Sequence, residues 1–324
     1  MRPATDDTLY TIFSCTKGIV GAAVWTLFED GLLRLDERVA DIIPEFATNG
    51  KDVVTVEQTM LHIGGFPLAP LGPPQWSTKA GRLEAFKRWR LNWEPGSRFE
   101  YHATSAHWVL VEIIERRTGT EYREYLRTRV LEPMGLTDLF VGLPAEQNSR
   151  VADMTYVVPP TPPPGGWGEV TPNVLLRFNE PAVRAVGVPG GGGVATAGQL
   201  ALFYQPLING GEAATGKRIM RPETIAFATT VRTRDFHRDL LGNPVNRALA
   251  VVVAGDDGNK HLRGFGRTCS GRAFGHAGAG GQIAWGDPDT GISVGYCTNG
   301  FIDDETQAKR TTAIGSLAAS SVIG

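Results

Sequence analysis

Two long stretches of apolar residues at helical spacing stand out in the first part of the chain. The first places apolar residues on one side of a helix of about four turns that Gly31 ends; they are Ile19, Val20, Ala23, Val24, Leu27 and Phe28. The second runs from Ala106 to Ile114 and predicts another helix, ended by Gly119. Thr55 with Gln58, and Thr196 with Gln199, have the spacing of capping boxes and predict two further helix starts.

The pattern changes in the last third of the chain. Continuous or alternating apolar runs predict strands over residues 248–254, 282–286 and 292–297, with a hairpin turn at 287–291. A final helix is predicted over 304–319. Helices in the middle and strands towards the end predict one mixed α/β (α+β) domain over 1–324. Its helical lobe, at about 50–190, would be inserted between the first helix and the C-terminal sheet region. The proline-rich stretch 158–167 is either a linker or a loop that covers a site.

Composition and charge exclude several classes of partner. The chain has 324 residues and a net charge of −2, with both signs mixed, so no basic stripe indicates a nucleic-acid or membrane-surface partner. The longest apolar runs fall far short of the roughly 20 residues of a membrane span. The three cysteines form no CxxC pair, and no apolar signal-peptide core follows Met1, which together predict a cytoplasmic location. No His, Asp or Glu set has metal-ligand spacing, so no metal or cofactor is expected.

Ser14 and Lys17 are the first candidates for chemistry. Near the start of the first predicted helix they are three residues apart, so their side chains share a face. A serine hydroxyl becomes a good nucleophile when a base takes its proton, and a lysine does so only when neutral. Moving the pKa of a lysine from about 10.4 to about 7 needs roughly 4.6 kcal/mol, which burial and a neighbouring cation can provide. The alternative is an N-cap serine followed by a solvated lysine. Cys15 points about 100° away, so we expect it to pack in the core.

Several further segments, and the order in which they follow one another, are similar to those of a known family. Residues 31–46 follow the nucleophile helix, 60–67 read Met-Leu-His-Ile-Gly-Gly-Phe-Pro, and 133–136 read Pro-Met-Gly-Leu. Tyr101 follows Ser14 by 87 residues, and His276-Ala-Gly278 stands in a glycine-rich stretch. With these segments the chain resembles the serine β-lactamase and penicillin-binding-protein superfamily, in its class C-like branch, which includes the family VIII carboxylesterases.

The resemblance implies a fold and a set of roles. The fold is an antiparallel sheet flanked by helices with a mostly helical lobe. Only 13 residues precede Ser14 here, so the family's N-terminal strands are missing from this sequence, and a sheet edge would be exposed or paired in a homo-oligomer. Tyr101 would share the base role with Lys17, and the backbone N–H groups of Ser14 and Ala279 would form the oxyanion hole. His276, Gly278 and Ala279 would contact the substrate.

Other polar and aromatic residues are candidates on their own chemistry. Ser105 is expected to be a helix N-cap. Alternatively, Ser105 and His102 would replace the side-chain amide of the asparagine that the family has at position 103. Large aromatic residues are expected either to line an apolar acyl pocket or to lie in the core; they are Trp76, Trp93, Trp167 and Trp285, of which Trp285 is the candidate for substrate binding.

Two departures from the family pattern point to the substrate. Ala103 stands where the family has an asparagine amide, and His276 stands where β-lactamases have a lysine. Both changes weaken the recognition of a β-lactam or a peptide and leave acyl transfer intact, because histidine at neutral pH is mostly uncharged and alanine has no side-chain amide. An uncharged substrate without an amide, such as a carboxylic ester, fits better. We therefore expect a serine hydrolase that cleaves small carboxylic esters through an acyl-enzyme on Ser14. The alternatives are a β-lactamase or D-alanyl-D-alanine peptidase, and a catalytically silent binding protein of the same fold.

Overall fold

A computed structural model describes residues 3–162, 166–167, 170–233, 236, 238–239 and 242–321. Part of the proline-rich stretch, residues 163–165, lies outside the described residues, so the structure does not distinguish a linker from a covering loop there.

The strands of the described residues are short, and most lie towards the two ends of the chain. In order they are β1 (Tyr10–Phe13), β2 (Leu139–Val141), β3 (Thr155–Tyr156), β4 (Gly193–Ala195), β5 (Val252–Val253), β6 (Phe274–Gly278), β7 (Gln282–Asp287), β8 (Ile292–Tyr296) and β9 (Gly300–Phe301).

The α-helices fill the space between these strands. In order they are α1 (Thr16–Glu29), α2 (Val39–Ile42), α3 (Val56–Met60), α4 (Lys79–Arg88), α5 (Ser105–Thr118), α6 (Tyr122–Tyr125), α7 (Glu132–Met134), α8 (Pro172–Leu176), α9 (Pro181–Val186), α10 (Ala197–Leu202), α11 (Tyr204–Ile208), α12 (Pro222–Thr229) and α13 (Asp304–Ser320). A π-helical segment, Leu126–Leu131, joins α6 to α7. None of the helices in the described ranges combines the length and apolar character that a bilayer crossing needs.

Two antiparallel sheets position the candidate site. The larger has the order β5-β6-β7-β8, and its central pair aligns His276 with Ala284 and Gly275 with Trp285. The smaller has the order β1-β4-β2, so β1, which leads into Ser14, pairs with β4. The expected antiparallel sheet flanked by helices is therefore confirmed. The boundary of a separate lobe at 50–190 stays a prediction.

Helix α1 runs through the main hydrophobic core. Its residues from Thr16 to Leu27 are all buried, and it packs against α5. Gly31 follows the helix with φ +68°, a conformation that glycine adopts without strain, so the predicted end is confirmed. Helix α5 ends at Gly119 with φ +72°, also as expected.

The two predicted capping boxes have different outcomes. Thr55 and Gln58 form both reciprocal hydrogen bonds at the start of α3. Thr196 accepts from the N–H of Gln199 at the start of α10, but the Gln199 side chain accepts from Thr137 N and Asp138 N instead. The second box is thus half formed, and its glutamine ties α10 to the segment before β2.

The apolar run at 248–254 is buried but mostly not a strand. Only Val252 and Val253 join the sheet, and Ala250 has φ +61°. The N–H of Ala248 donates to Val251 O, and the Leu249 carbonyl accepts from Trp25 Nε1. The run is therefore a tight turn packed on α1, which periodicity alone does not separate from a buried strand.

Candidate active site

Ser14 lies in a sharp turn between β1 and α1. The preceding residue, Phe13, has φ +43°, which is uncommon for a side chain of this size. Thr16 fixes the turn, because its hydroxyl donates to Phe13 O at 2.5 Å and accepts from Gly193 N at 2.8 Å. Ser14 is partly exposed between neighbours that are all buried. The turn thus presents one hydroxyl to the solvent side of the core.

The Lys17 amine lies against this hydroxyl. Lys17 is fully buried, and its Nζ is 3.2 Å from Ser14 Oγ. The amine also donates to Ala103 O at 2.7 Å and to Gly190 O. A neutral amine has two N–H bonds and one lone pair, so two carbonyls would use both hydrogens and leave the lone pair for the Ser14 O–H. Two carbonyl partners therefore orient the amine as a proton acceptor for the serine.

The electrostatics of the site favour the neutral amine. Burial lowers the pKa of Lys17, and the nearby Arg247 guanidinium lowers it further. The Tyr101 phenol acts in the opposite direction, through its charge and a hydrogen bond to the amine. Among the described residues, the groups that perturb Lys17 are Tyr101, Arg247 and Cys15, and none of them is a carboxylate.

Tyr101 completes the group of residues at the nucleophile. Lys17 Nζ is 4.9 Å from the centroid of its ring, and the ring is partly exposed. On its other sides the ring contacts His62, at 4.9 Å between centroids, and His276, at 6.0 Å. The structure thus brings Ser14, Lys17 and Tyr101 together from two distant parts of the chain.

His276 is held by bonds within the protein at both ring nitrogens. Its Nδ1 is 2.6 Å from Ala277 O, and its Nε2 is 3.0 Å from an Arg247 guanidinium nitrogen. A carbonyl and a guanidinium fix the tautomer, because Nδ1–H must donate and Nε2 must accept. Burial, followed by Arg247, lowers the pKa of His276 well below its ordinary value, so the ring is neutral. A contact between His276 and substrate stays a prediction, and it would have to replace one of these bonds.

The end of β6 lies beside the nucleophile turn. Cys15 Sγ donates to His276 O at 3.2 Å, and Cys15 is buried as expected for a packing residue. A Cβ on Gly278 would lie only 2.4 Å from Ile12 O, so this position requires glycine. The N–H groups of Ser14 and Ala279 belong to these two adjacent segments. Their role as an oxyanion hole stays a prediction.

Arg247 and Gly190 are site residues that the sequence analysis missed. The Arg247 guanidinium lies 5.1 Å from the centroid of the Tyr101 ring and 5.7 Å from that of Phe99. A Cβ on Gly190 would lie 2.8 Å from Ala103 O, so glycine allows the two carbonyls that hold Lys17 to approach each other. The run of glycines at 190–193 was the available signal for Gly190. Arg247 follows no motif.

Trp285 does not line the site, so that expectation is wrong. Successive residues of a strand point to opposite faces, and Trp285 pairs with Gly275 whereas Ala284 pairs with His276. The indole is 1% exposed and packs with Phe265 in a cluster that includes Ala319 of α13. It is a core residue on the far face of the sheet.

Ser105 and His102 are structural. Ser105 is the first residue of α5 and donates to Phe66 O at 2.9 Å, so the expected N-cap role is wrong. His102 accepts from Phe66 N at 3.1 Å, and its Nδ1 is 2.6 Å from Glu100 O. Neither side chain replaces the motif amide. At position 103, where the family has that asparagine, the main-chain carbonyl of Ala103 accepts a hydrogen bond from Lys17 Nζ.

Two buried histidines stand behind the Tyr101 ring. The rings of His62 and His107 stack at 5.9 Å, and burial lowers the pKa of both well below the ordinary value. His62 Nδ1 accepts from His102 N at 3.2 Å. Within the described residues no group of three or more His, Cys, Asp or Glu side chains is arranged to hold a metal ion. The neutral His62 ring therefore packs against the Tyr101 ring, and the neutral His107 ring stacks on His62.

Comparison with known families agrees with this arrangement. The family model described as Beta-lactamase matches residues 1–319. The chain belongs to the beta-lactamase family. Esterase/beta-lactamase LipL of Mycobacterium tuberculosis (strain ATCC 25618 / H37Rv) is 28% identical over 330 residues, covering 92% of this chain and 70% of that protein. A putative D-alanyl-D-alanine carboxypeptidase of Escherichia coli (strain K12) is 28% identical over 323 residues, covering 91% and 70%.

Solved structures include penicillin-binding-protein and esterase relatives. A penicillin-binding-protein homologue from Caulobacter crescentus has a TM-score of 0.78 at 32% identity, covering 97% of this chain and 85% of that one. A family VIII carboxylesterase has a TM-score of 0.75 at 27% identity, with the same coverage. This beta-lactamase-family chain therefore has the fold of a hydrolase family that contains both esterases and peptidases.

Proposed function

We propose that this protein is a serine hydrolase that cleaves small carboxylic esters through an acyl-enzyme on Ser14. The observation that carries the proposal is the position of the buried Lys17 amine, 3.2 Å from Ser14 Oγ, with its two N–H bonds directed at carbonyls. An amine held in this way takes the serine proton as Oγ attacks the ester carbonyl. The carbonyl oxygen becomes negative in that step, and the N–H groups of Ser14 and Ala279 would stabilise it.

The second half of the reaction uses the same groups. Collapse of the tetrahedral intermediate breaks the bond to the alcohol, which leaves with a proton from Lys17 or from the Tyr101 phenol. Water then attacks the acyl-enzyme, gives up its proton to the same base, and releases the acid and the free serine. This role is supported by the distance of 4.9 Å from Lys17 Nζ to the Tyr101 ring and by the hydrogen bond between the phenol and the amine.

Two features favour an ester over an amide. Ala103 has no side-chain amide to pair with a substrate amide, and its carbonyl is occupied by Lys17. The relatives named an esterase/beta-lactamase and a family VIII carboxylesterase support the same substrate class.

A peptidase or β-lactamase activity is the second candidate, and Arg247 favours it. The neutral His276 lacks the charge of the family's motif lysine, but Arg247 places a permanent cation 3.0 Å from its ring. The expectation that this part of the site lacks a cation is therefore wrong. A cation suits the carboxylate of a β-lactam or a peptide, so the loss of the lysine does not by itself exclude those substrates.

Turnover of an ester panel tests the proposal. We expect wild type to hydrolyse short 4-nitrophenyl esters faster than a chromogenic cephalosporin, and Ser14→Ala to lose at least about 1,000-fold in kcat. Tyr101→Phe removes the hydroxyl and keeps the ring, so it is the matched variant for the proton-transfer role. Undiminished turnover by Ser14→Ala would refute the mechanism, and faster cephalosporin turnover would favour the second candidate. The cytoplasmic location and the homo-oligomer stay predictions.

A further inference from the structure

Arg247 is a cation without an acidic partner in the part of the chain that the structure describes. Its side-chain contacts are a hydrogen bond of 3.0 Å to His276 Nε2 and the ring faces of Tyr101 and Phe99. Among the described residues, the Tyr101 phenol favours the charge of Arg247, whereas burial acts against it and lowers the pKa of the guanidinium. A guanidinium has five N–H donors, and His276 uses one of them. Several N–H groups are therefore available to a ligand.

Arg247 also lines a large cavity together with His276, whose ring contacts Tyr101. The cavity has a volume of about 1030 Å³, and His276, Ala277 and Phe99 line it beside Arg247. Its charged lining residues are the cations Arg247, Arg263, Arg267 and Lys309 and the acids Asp239 and Asp304. Arg263 is paired with Asp257 and Lys309 with Glu305, whereas neither Arg247 nor Arg267 forms an ion pair within the described residues. Arg247 is thus a lining cation that no carboxylate among the described residues neutralises.

The geometry puts this cation within reach of an acyl group on Ser14. Lys17 Nζ and Arg247 Cζ lie 4.9 Å and 5.1 Å from the centroid of the same Tyr101 ring, so they are at most about 10 Å apart. Ser14 Oγ is 3.2 Å from that Nζ. A substrate of a few carbon atoms beyond the reacting carbonyl spans such a distance. Both His276 nitrogens are engaged within the protein, whereas Arg247 has N–H groups beyond the one that His276 uses.

We propose that Arg247 binds an acidic group of the ester substrate, so that the protein selects esters that carry a carboxylate over neutral esters. The substrate class is a monoester of a short dicarboxylic acid, or an ester whose alcohol part bears a carboxylate. This inference rests on the proposed esterase function and adds its specificity. A planar guanidinium suits a carboxylate because it offers two parallel N–H bonds.

Two matched pairs of substrates test the inference and separate the two positions of the acid. For the acyl side the pair is 4-nitrophenyl hemiglutarate and 4-nitrophenyl valerate, and for the alcohol side 4-carboxyphenyl butyrate and 4-carbamoylphenyl butyrate. The variants are Arg247→Met, which keeps the stem, and Arg247→Lys, which keeps the charge. Arg232→Gln is the control, because Arg232 stacks on Phe227 and pairs with Glu57, and it does not line the cavity.

We expect wild type to favour the acidic member of one pair by about 10-fold or more in kcat/KM, mainly through KM. Arg247→Met should lose this preference, Arg247→Lys should keep part of it, and Arg232→Gln should leave it unchanged. The wild-type preference should fall as salt rises. Equal kcat/KM for both members of both pairs, or an unchanged preference in Arg247→Met, would overturn the inference. If Arg247→Met does not fold, a full preference in Arg247→Lys that salt does not weaken overturns it in the same way.

A binding measurement separates this inference from the proposed function. In the Ser14→Ala background, monomethyl glutarate should raise Tm and methyl valerate should not, and Arg247→Met should abolish the shift. If wild type cleaves no ester but this shift is found, the proposed function fails while anion recognition by Arg247 stands. If esters are cleaved but no shift is found and no preference is measured, the inference about Arg247 fails alone.

Discussion

Replacement of Gly190 by alanine is a sharp test of how Lys17 is held. The carbonyl of Gly190 accepts a hydrogen bond from Lys17 Nζ. A Cβ on residue 190 would lie 2.8 Å from Ala103 O and 2.9 Å from Thr104 Cα. Ordinary contact begins at 3.4 Å, so 3.4 Å minus 2.8 Å leaves about 0.6 Å by which the backbone must move. Both obstructing atoms belong to the main chain, so no side-chain rotation relieves the contact.

This movement separates the two carbonyls that orient the amine. A misplacement of about 1 Å in an active site costs on the order of 100-fold in rate, so about 0.6 Å corresponds to roughly 10-fold. A factor of 10 is about 1.4 kcal/mol in the activation free energy. We therefore expect Gly190→Ala to lose about 10-fold or more in kcat on a 4-nitrophenyl ester, with a smaller change in KM.

Gly191 provides the matched control. The nearest atom to a Cβ on Gly191 is Phe13 C at 3.9 Å, which is an ordinary contact. Gly191→Ala should keep wild-type kcat, and both variants should keep the wild-type circular dichroism spectrum. Equal kcat for Gly190→Ala and wild type, or equal losses in both variants, would refute the reasoning that Gly190 positions Lys17.

Three further predictions concern the pH dependence and the core. Because neutral Lys17 is the base, kcat/KM should rise with pH through a midpoint below the ordinary lysine pKa. Since burial and Arg247 both lower the pKa of Lys17, Arg247→Met should move that midpoint to higher pH, and an unmoved midpoint would contradict the account. Ser105→Ala leaves Phe66 O unpaired and should lower the free energy of unfolding by about 1 to 2 kcal/mol in a urea titration. Thr104→Ala is the control, because the Thr104 side chain makes no cap hydrogen bond, and it should lower the free energy of unfolding by less than about 0.5 kcal/mol. Trp285→Phe should cost about 1 to 2 kcal/mol and leave KM for esters unchanged, and a clear rise in KM would return Trp285 to the site.

The elements with strong periodicity were predictable from the sequence. Helices α1 and α5 each have an apolar face over several turns and a glycine at the end, so local and tertiary preferences agree. The hairpin of β7 and β8 was also predictable, because the turn at 287–291 separates two runs that alternate. In such segments one burial pattern fits one element.

The prediction of a strand over 248–254 was partly wrong, because a buried apolar run does not specify its backbone conformation. Gly21 allows the turn at Ala250 to pack on α1, since a Cβ on Gly21 would lie 2.8 Å from Ala250 Cβ. This contact joins residues that are more than 200 positions apart in the sequence. A local pattern contains no information about it.

The candidate site also contains residues that the sequence predicted and groups that it did not. Ser14, Lys17 and Tyr101 were selected by motif spacing, and the structure brings Lys17 close to the other two. Their roles in acyl transfer stay a prediction. The groups that hold Lys17 are the main-chain carbonyls of Ala103 and Gly190, and these leave little trace in residue type. Trp285 was misassigned because residue type does not tell which face of a strand is open to substrate.

The most direct test of the central claim is peptide mass spectrometry after reaction with a fluorophosphonate probe. We predict one adduct, on the peptide that contains Ser14, formed quickly by wild type and much more slowly by Lys17→Met, with none in Ser14→Ala. An adduct on another residue, or equal labelling rates in wild type and Lys17→Met, would contradict the account that Lys17 activates this serine.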